Sequence, residues 1–356
     1  MRLRRSARLA FDSDSDDMTD TRDEQFMRRA LALAERGWGQ TAPNPMVGAV
    51  IIRDGSVVGE GWHEMYGGAH AETNALAQAG ASAQGATVYV TLEPCSHTGK
   101  TPPCVDALVA AKVARVVVAS RDPGAGSGGG AGRLSDAGID VEIGMLEAEA
   151  RELNAAFFHS FVSDRPWVTL KLALSIDGAI ADSERGRAWL TNEDSRAEVH
   201  RIRANVDAIA VGATTYVTDH PALTVRGPIQ PRVAPVRIVF DPDGRLSAGR
   251  TSVLEEVGGV TFVRVADLAA SLRAIRARGI RSLLVEGGAS IASALLDAEL
   301  VDRLVIFQAP IVLGGGALAA FGATSPRRVA NVHRLPVLRR RAFGDDLMTI
   351  YALHAV

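Results

Sequence analysis

Residues 70–104 read HAETNALAQAGASAQGATVYVTLEPCSHTGKTPPC, and the reading of this stretch decides the fold. His70 to Ala79 has a helical pattern, Thr87 to Leu92 is a β-branched and aromatic strand, and Val105 to Ala111 is a second helix. Helix, strand and helix in that order form a unit of an α/β layer with mainly parallel pairing. Both junctions carry chemistry-bearing residues. His70-Ala71-Glu72 opens the first helix, and Pro94-Cys95 follows the strand, with eight residues separating Cys95 from Cys104.

Working outward, a helical pattern begins at Asp23, with Phe26, Ala30, Leu31 and Leu33 on one face, and ends near Gly37. The apolar run Val47 to Ile52 meets Asp54-Gly55, a hairpin signal, and then Val57-Val58. Downstream come a strand at Arg115 to Ala119, another at Ile139 to Ile143, and a helix through about His159. Ser163-Asp164-Arg165-Pro166 reads as a linker. A second alternating series then runs to the end, with strands near Trp167 to Leu174, Ala208 to Gly212, Val236 to Asp241, Val260 to Val265, Arg281 to Glu286 and Leu304 to Pro310. Helices are expected at Ser195 to Ala204, Leu268 to Arg278 and Ser290 to Ala298. No internal repeat is visible. The expectation is two α/β domains, residues 22–163 and 164–356, behind an extension over 1–21.

That extension holds four arginines in its first ten residues, followed by Asp12, Asp14, Asp16 and Asp17 rather than an apolar stretch, so it is not a secretory signal. It reads as disordered, with Met18 as an alternative start. A chain of 356 residues is long enough for two cores. Its formal net charge of −2 excludes the strong positive field of a general nucleic-acid binder. No run of 18 uncharged apolar residues suggests a membrane span, and two cysteines exclude a disulfide-rich secreted scaffold. The expectation is a cytoplasmic protein acting on a small molecule, without nucleic-acid or membrane partners, and compatible with a homo-oligomer.

Zinc takes N and S ligands in a tetrahedron, and a catalytic zinc keeps one position for water. His70, Cys95 and Cys104 supply three ligands and leave the fourth open. Glu72, in the first helical turn, can reach that water and move its proton. This His-x-Glu with Pro-Cys is the pattern of the nucleobase deaminases, where the Glu is acid and base rather than ligand. The alternatives are a chance coincidence, or a closed structural site with His63 or His97 as fourth ligand.

The eight-residue spacer departs from the two-residue spacing of most such deaminases. Together with Ala42-Pro43-Asn44-Pro45-Met46-Val47-Gly48, Gly61-Trp62-His63 and Glu93 to Cys104, it resembles the bacterial bifunctional riboflavin-biosynthesis deaminase–reductases over about residues 22–356. The resemblance implies a cytidine-deaminase-like α/β/α layer followed by a dihydrofolate-reductase-like α/β domain, with Zn2+ and NADPH as cofactors. It implies that Asn44, His63, His97 and Lys100 hold a diaminopyrimidinone ribosyl phosphate. Asn suits a pyrimidine edge, while His and Lys suit carbonyl or phosphate oxygens. Each of these alone is equally well a loop residue, and His63 a satisfied core histidine.

Gly124-x-Gly126-x-x-Gly129 matches a dinucleotide fingerprint literally, yet only about six residues, Arg133 to Gly138, precede the next strand. With six glycines between 124 and 132, it reads as a flexible loop. Here the chain departs from the family: Asp122-Pro123-Gly124 keeps the Asp122 implied in substrate binding but has Gly where relatives carry Asn.

In the second half, Lys171 to Gly178, Trp189-Leu190-Thr191, Arg203, Val211 to Arg226 and Leu284-Val285-Glu286-Gly287-Gly288-Ala289-Ser290 resemble, in this order, the reductase half of the same family. A strand–Gly-Gly–helix junction can cradle a phosphate, although alone it is more often a plain turn. The resemblance implies NADPH contacts at Ala173, Trp189, Thr215, Asp219 and Gly288, Ala289, Ser290, Ile291, Ala292, Ser293 and Ala294. It implies substrate contacts at Arg187, Arg203, Leu223, Arg226 and Glu286, with Arg at 187 where some relatives carry Ser. Lys171 and Glu286 are the polar groups expected near hydride transfer, and Arg203 with Arg226 the phosphate clamp. For Lys171, Asp177 and Arg203 a structural salt bridge is the alternative. The rival functions are a nucleic-acid base deaminase, which would need a basic, aromatic-lined channel, and a non-catalytic binding protein, which would not need Glu72 and all three zinc ligands.

Overall fold

The computed structural model describes residues 21–185, 188–246, 254–264 and 267–356. The expected extension lies outside these but for Thr21, which is the N-cap of the first helix: its hydroxyl accepts from the Glu24 N–H while Glu24 accepts from the Thr21 N–H. The first half runs α1 (Arg22–Ala34), β1 (Gly48–Arg53), β2 (Ser56–Trp62), α2 (Ala71–Ala79), β3 (Thr87–Leu92), α3 (Cys104–Ala110), β4 (Arg115–Ser120), α4 (Gly130–Asp136), β5 (Asp140–Ile143), α5 (Glu147–Leu153) and α6 (Ala155–Val162). The sheet order is β2-β1-β3-β4-β5, with β1 antiparallel to both neighbours and β3, β4 and β5 parallel. Asp54 and Gly55 both have positive φ and close the β1–β2 hairpin as a two-residue turn.

Alternation along the strands buries both faces of this sheet. Ala49 and Ile51 pack with Ala71, Ala75, Val105 and Leu108, whereas Val50 and Ile52 pack with Met27, Ala30, Leu33 and Ala150. The result is the expected α/β/α layer. Two details differ from expectation. The buried face of α1 is Met27, Ala30, Leu33 and Ala34, leaving Phe26 and Leu31 at its edge. The helix expected through His159 is two helices meeting at Asn154, whose buried carboxamide accepts from the Met46 N–H and donates to the Met46 carbonyl, both at 2.8 Å.

The second half contains β6 (Trp167–Leu174), β7 (Ala179–Ala181), α7 (Glu193–Arg203), β8 (Ala208–Gly212), α8 (Ala213–Asp219), β9 (Val236–Phe240), β10 (Leu254–Val257), β11 (Val260–Val263), α9 (Leu268–Ala277), β12 (Ser282–Glu286), α10 (Ala289–Asp297), β13 (Arg303–Gln308), β14 (Leu318–Ala319), β15 (Val337–Phe343) and β16 (Asp346–Ala352). Nine strands form one sheet, ordered β10-β11-β9-β8-β12-β6-β13-β16-β15. The series does not alternate to the end. After β13 the chain finishes as an antiparallel hairpin, β15–β16, turned by Gly344 at positive φ. Arg339, Arg340 and Arg341 keep β15 polar on the sheet edge, so it lacks the apolar run of an interior strand.

Beside the connecting residues 163–166, one ion pair anchors the connector to the second half and another joins the two halves. Arg165 makes a bidentate pair with the buried Asp302 at 2.6 and 2.7 Å. Arg303, 5% exposed, reaches back to Glu152 on α5 and lies over the Trp167 ring. Among the described residues no helix is long and apolar enough to cross a membrane.

Candidate active sites

His70 caps α2 and Cys104 is the first residue of α3, so two helix N-termini converge on one point. Their dipoles favour thiolate there. Cys95, at the end of the β3 junction, completes the group: its Sγ lies 3.5 Å from His70 Nδ1, and Cys104 Sγ lies 3.3 Å from the same atom. The three ligand atoms fall within 4.8 Å of one another. A tetrahedral zinc with bonds of about 2.0–2.3 Å spaces such atoms about 3.5–3.8 Å apart, so the donor set fits the ion. The Cys104 N–H also points at Cys95 Sγ, at 3.3 Å. Hydrogen bonds from Cys104 and then His70 hold the Cys95 thiol low. Thr101 places its hydroxyl 3.5 Å from the outer nitrogen, Nε2, of His70 and so can fix the ring orientation.

Glu72 is 3% exposed and lines the same cavity of about 280 Å³. Burial pushes its carboxyl up, only partly offset by its backbone hydrogen bond and the His70 charge. On the facing wall His63 Nδ1 donates to the Ala69 carbonyl at 3.0 Å, which leaves Nε2 to accept from the Asn44 amide at 3.3 Å. Asn44 Oδ1 is thereby left as an acceptor for a ligand. Burial lowers the His63 pKa, keeping the ring neutral for this role. His97, Lys100 and Asp122 line the cavity too. His63 and His97 therefore do not close the zinc site as a fourth ligand; the metal-ligating group is His70, Cys95 and Cys104.

The glycine-rich loop, read from sequence as flexible, carries a set of hydrogen bonds of its own. Gly124 N–H donates to Asp122 Oδ1 at 2.8 Å, Gly128 N–H to the Gly124 carbonyl at 2.9 Å, and Ser96 donates to the Gly128 carbonyl at 2.7 Å. A short helix, α4, follows directly at Gly130. A side chain there would meet the Pro94 carbonyl at 1.8 Å, so only glycine lets α4 approach the Cys95 junction. The buried Glu93 carboxylate accepts from Asp122 N–H and Ala131 N–H, joining both ends of the loop. Sequence reasoning misses Glu93, Ser127, Asn154 and Thr101. Glu93 beside Pro94-Cys95 is the one visible signal among them.

In the second half Lys171 and Glu286 stand side by side on paired strands β6 and β12. Arg203 binds both Glu286 oxygens, with Nη2 at 2.7 Å, and spends Nη1 on the Thr224 carbonyl at 2.9 Å. Burial would raise the Glu286 pKa, but the Arg203 hydrogen bonds and charge hold it low. Burial lowers that of Lys171, opposed by Glu286. The salt-bridge alternative thus describes Arg203. Three of its five N–H groups, one each on Nε, Nη1 and Nη2, are engaged in this way. Asp177 is bonded instead to the Ser175 hydroxyl and the Leu313 and Gly314 N–H groups. Arg226 lies against His200, its backbone N–H 3.1 Å from Nδ1 and its Nε 3.4 Å from Nε2; a neutral ring accepts only one of these.

The β8–α8 and β12–α10 turns lie together at the carboxyl ends of adjacent parallel strands, the usual crevice for a nucleotide. A Cβ on Gly288 would sit 2.8 Å from Thr215 Oγ1, so glycine lets the two turns touch. The run 288–294 does not face this crevice as a whole. Ala292 and Ser293 are buried in the core, and Ser293 accepts from Thr324, because a helix turns by about 100° per residue and so long a run covers every side of it. Leu223 likewise sends its side chain into the core beside Ile209 and Val239, with φ at +50°, and offers only backbone. Trp189 is 63% exposed beneath the Arg196 guanidinium. Ala173 lies on β6 opposite Phe307, and Asp219 ends α8. Arg187 lies outside the described residues.

Two family profiles match the chain: the cytidine and deoxycytidylate deaminase zinc-binding region over residues 20–120, and the RibD C-terminal domain over residues 166–348. Riboflavin biosynthesis protein RibD of Mycobacterium tuberculosis is 43% identical, covering 91% of this chain and 96% of its own. That of Aquifex aeolicus is 39% identical, covering 92% and 98%. The solved RibD of Acinetobacter baumannii superposes with a TM-score of 0.79 at 35% identity, covering 93% of this chain and 98% of its own. The diaminohydroxyphosphoribosylaminopyrimidine deaminase/5-amino-6-(5-phosphoribosylamino)uracil reductase of Thermotoga maritima gives 0.81 at 34%, with the same coverage. With a zinc-ligand trio in one half and a nucleotide crevice in the other, this chain belongs to the RibD family, the zinc- and NADPH-dependent bifunctional deaminase–reductases of riboflavin biosynthesis.

Proposed function

We propose that the chain deaminates 2,5-diamino-6-ribosylamino-4(3H)-pyrimidinone 5′-phosphate in its first domain, residues 22–163, and reduces the ribosyl group to ribityl in its second, residues 164–356. The observation carrying this reading is Glu72, buried beside the His70, Cys95 and Cys104 trio and opposite the Asn44–His63 pair. His70, Cys95 and Cys104 would hold the zinc, which would supply an acidified water for attack on an amino-bearing ring carbon. Glu72 accepts the proton from that water and returns it to the leaving amine. Asn44 accepts from a pyrimidine N–H, and His63 holds its amide in that orientation. His97 and Lys100 face the substrate's phosphate end, and Asp122 fixes the loop beneath it.

NADPH supplies a hydride when bound in the crevice between the β8–α8 and β12–α10 turns. Thr215, Asp219, Gly288, Ser290 and Ile291 hold it, with Ala173 and Trp189 at its margin. Lys171 and Glu286 orient the opened sugar, Lys171 is placed to deliver the proton, and Arg226 takes the phosphate. Arg203 acts through Glu286. A free small molecule suits the first cavity better than a nucleic-acid strand, since the net charge of −2 offers a strand little attraction.

The test is to incubate the zinc-loaded protein with the diaminopyrimidinone phosphate and weigh the products. Without NADPH the product should be heavier by about 1 Da, for amine replaced by oxygen. With NADPH it should gain about 2 Da more, for one hydride and one proton. A reduced product that keeps its amine, or no reaction, would overturn the order or the reading.

A further inference from the structure

The segment that delivers Asn44 to the deaminase cavity, Trp38 to Pro43, has no helix or strand of its own. Some of its backbone groups are satisfied locally, Trp38 N–H by the Glu35 carbonyl and Gln40 N–H by the Gly37 carbonyl, and the reductase half supplies partners for others. Trp38 Nε1 donates to the Arg201 carbonyl at 2.6 Å, and the Arg201 guanidinium lies over the Trp38 ring at 4.0 Å. Gly39 N–H donates to Asn205 Oδ1 at 3.0 Å, and Gln40 donates to the Gln230 carbonyl at 2.6 Å.

Two side chains reach further than the others: Arg281 Nη1 donates to the Pro43 carbonyl at 3.3 Å, and Arg232 touches two walls of the cavity. Arg232 donates its backbone N–H to the Gly39 carbonyl at 2.9 Å and its Nη2 to the Ala42 carbonyl at 2.6 Å. Its guanidinium lies 4.9 Å from the Tyr66 ring centroid, the same ring that Lys100 Nζ approaches at 4.1 Å. Tyr66 and Lys100 line the deaminase cavity, and Ala42 sits two residues before Asn44. Although exposed, Arg232 therefore braces two walls of a cavity that belongs to the other domain.

We propose that Arg232 is a positioning residue for deamination: from the reductase domain it holds the Asn44 turn and the Tyr66 wall, so the deaminase cavity reaches full substrate affinity only when docked on the reductase. The inference rests on the reading of Asn44 as a substrate contact. Arg232 touches no reacting atom, so its loss should act on binding and leave the chemical step alone.

The experiment compares full-length Arg232→Ala, Arg232→Gln and Arg232→Lys with the unaltered chain, using the diaminopyrimidinone phosphate for deamination and pre-deaminated substrate for reduction. Arg232→Ala should raise the deaminase KM about five- to twentyfold with kcat within about twofold, at one zinc per chain and an unchanged reductase rate. Arg232→Lys, which keeps a cation over Tyr66 and a donor for Ala42, should recover most of the affinity. Adding Arg232→Ala to Asn44→Ala should raise KM little further, since the two act on one contact. If Arg232→Ala does not fold, Arg232→Gln decides, with an expected rise of about threefold or more. An unchanged KM overturns the proposal, and so does a joint fall in kcat, zinc content and reductase rate. If the unaltered chain itself fails to deaminate, the functional reading fails instead.

Discussion

The zinc site draws His70, Glu72, Cys95 and Cys104 from one continuous stretch, whereas the reductase site gathers Lys171, Arg203, Arg226 and Glu286 from strands and loops far apart in the chain. The first presents its reactive groups already converged, with both helix N-termini aimed at the metal position. The second neutralises its charges internally, Arg203 against Glu286 beside Lys171, and sets the β8–α8 and β12–α10 turns at the carboxyl ends of adjacent parallel strands. A metal site must be built to a fixed geometry, while a site for a large anionic cofactor needs only a backbone cradle and a balanced charge.

The largest expected effect tests convergence at the first site. Glu72→Gln should lower deamination by about 10²–10⁴-fold while zinc stays near one per chain, because a proton carrier and not a ligand has been removed. Zinc loss in that variant would make Glu72 part of the ligand set and dissolve the contrast. Stripping zinc with a chelator should likewise end deamination and spare reduction of pre-deaminated substrate.

The second prediction probes the internal charge balance. Glu286→Gln strands Arg203 and Lys171 without their carboxylate and should destabilise the reductase half by about 3–5 kcal/mol in denaturant unfolding, while the deaminase half keeps its zinc. A loss of catalysis without any loss of stability would mean that the pair is not structurally buried. Smaller still, Arg226→Ala should cut kcat/KM for the phosphorylated substrate by about 10- to 100-fold more than for its dephosphorylated analogue, with NADPH binding unmoved. Equal losses for both substrates would remove Arg226 from the phosphate.

The smallest effect is a pH dependence. Burial holds the folded-state pKa of His63 below its ordinary 6.5. The unfolded chain then binds more protons as pH falls through 6.5, so His63 costs stability below that value and nothing above it. His63→Gln should flatten the fall in Tm between about pH 6.5 and 5. A steeper fall would show that His63 gains a partner on protonation.

The same contrast explains which features are legible in the amino-acid sequence alone. The α/β layering, the strands β1–β6, β8, β9 and β11–β13, and the zinc group are visible there, because hydrophobic period and ligand spacing are local properties. The β15–β16 hairpin is not, since an edge strand carrying three consecutive arginines has no apolar run to betray it. The hydrogen bonds of the glycine-rich loop are not legible in sequence, because Glu93 and Ser96 meet it only in three dimensions. Sequence leaves Arg203 between a phosphate contact and a structural salt bridge, because its pairing across to Glu286 on β12 is visible only in three dimensions. The helical run 288–294 reads as a unit, although Ala292 and Ser293 turn inward.

The pins beside residue 163 bear on gene fission. A cut at the domain boundary would separate Glu152 from Arg303, and Arg165 would remain with Asp302 only if the break fell before it. The freed reductase would then expose a guanidinium that now sits almost wholly covered over Trp167. Stand-alone halves of this enzyme therefore call for redesign at Glu152 and Arg303 together, with an uncharged pair matched in volume, before the halves are expressed apart.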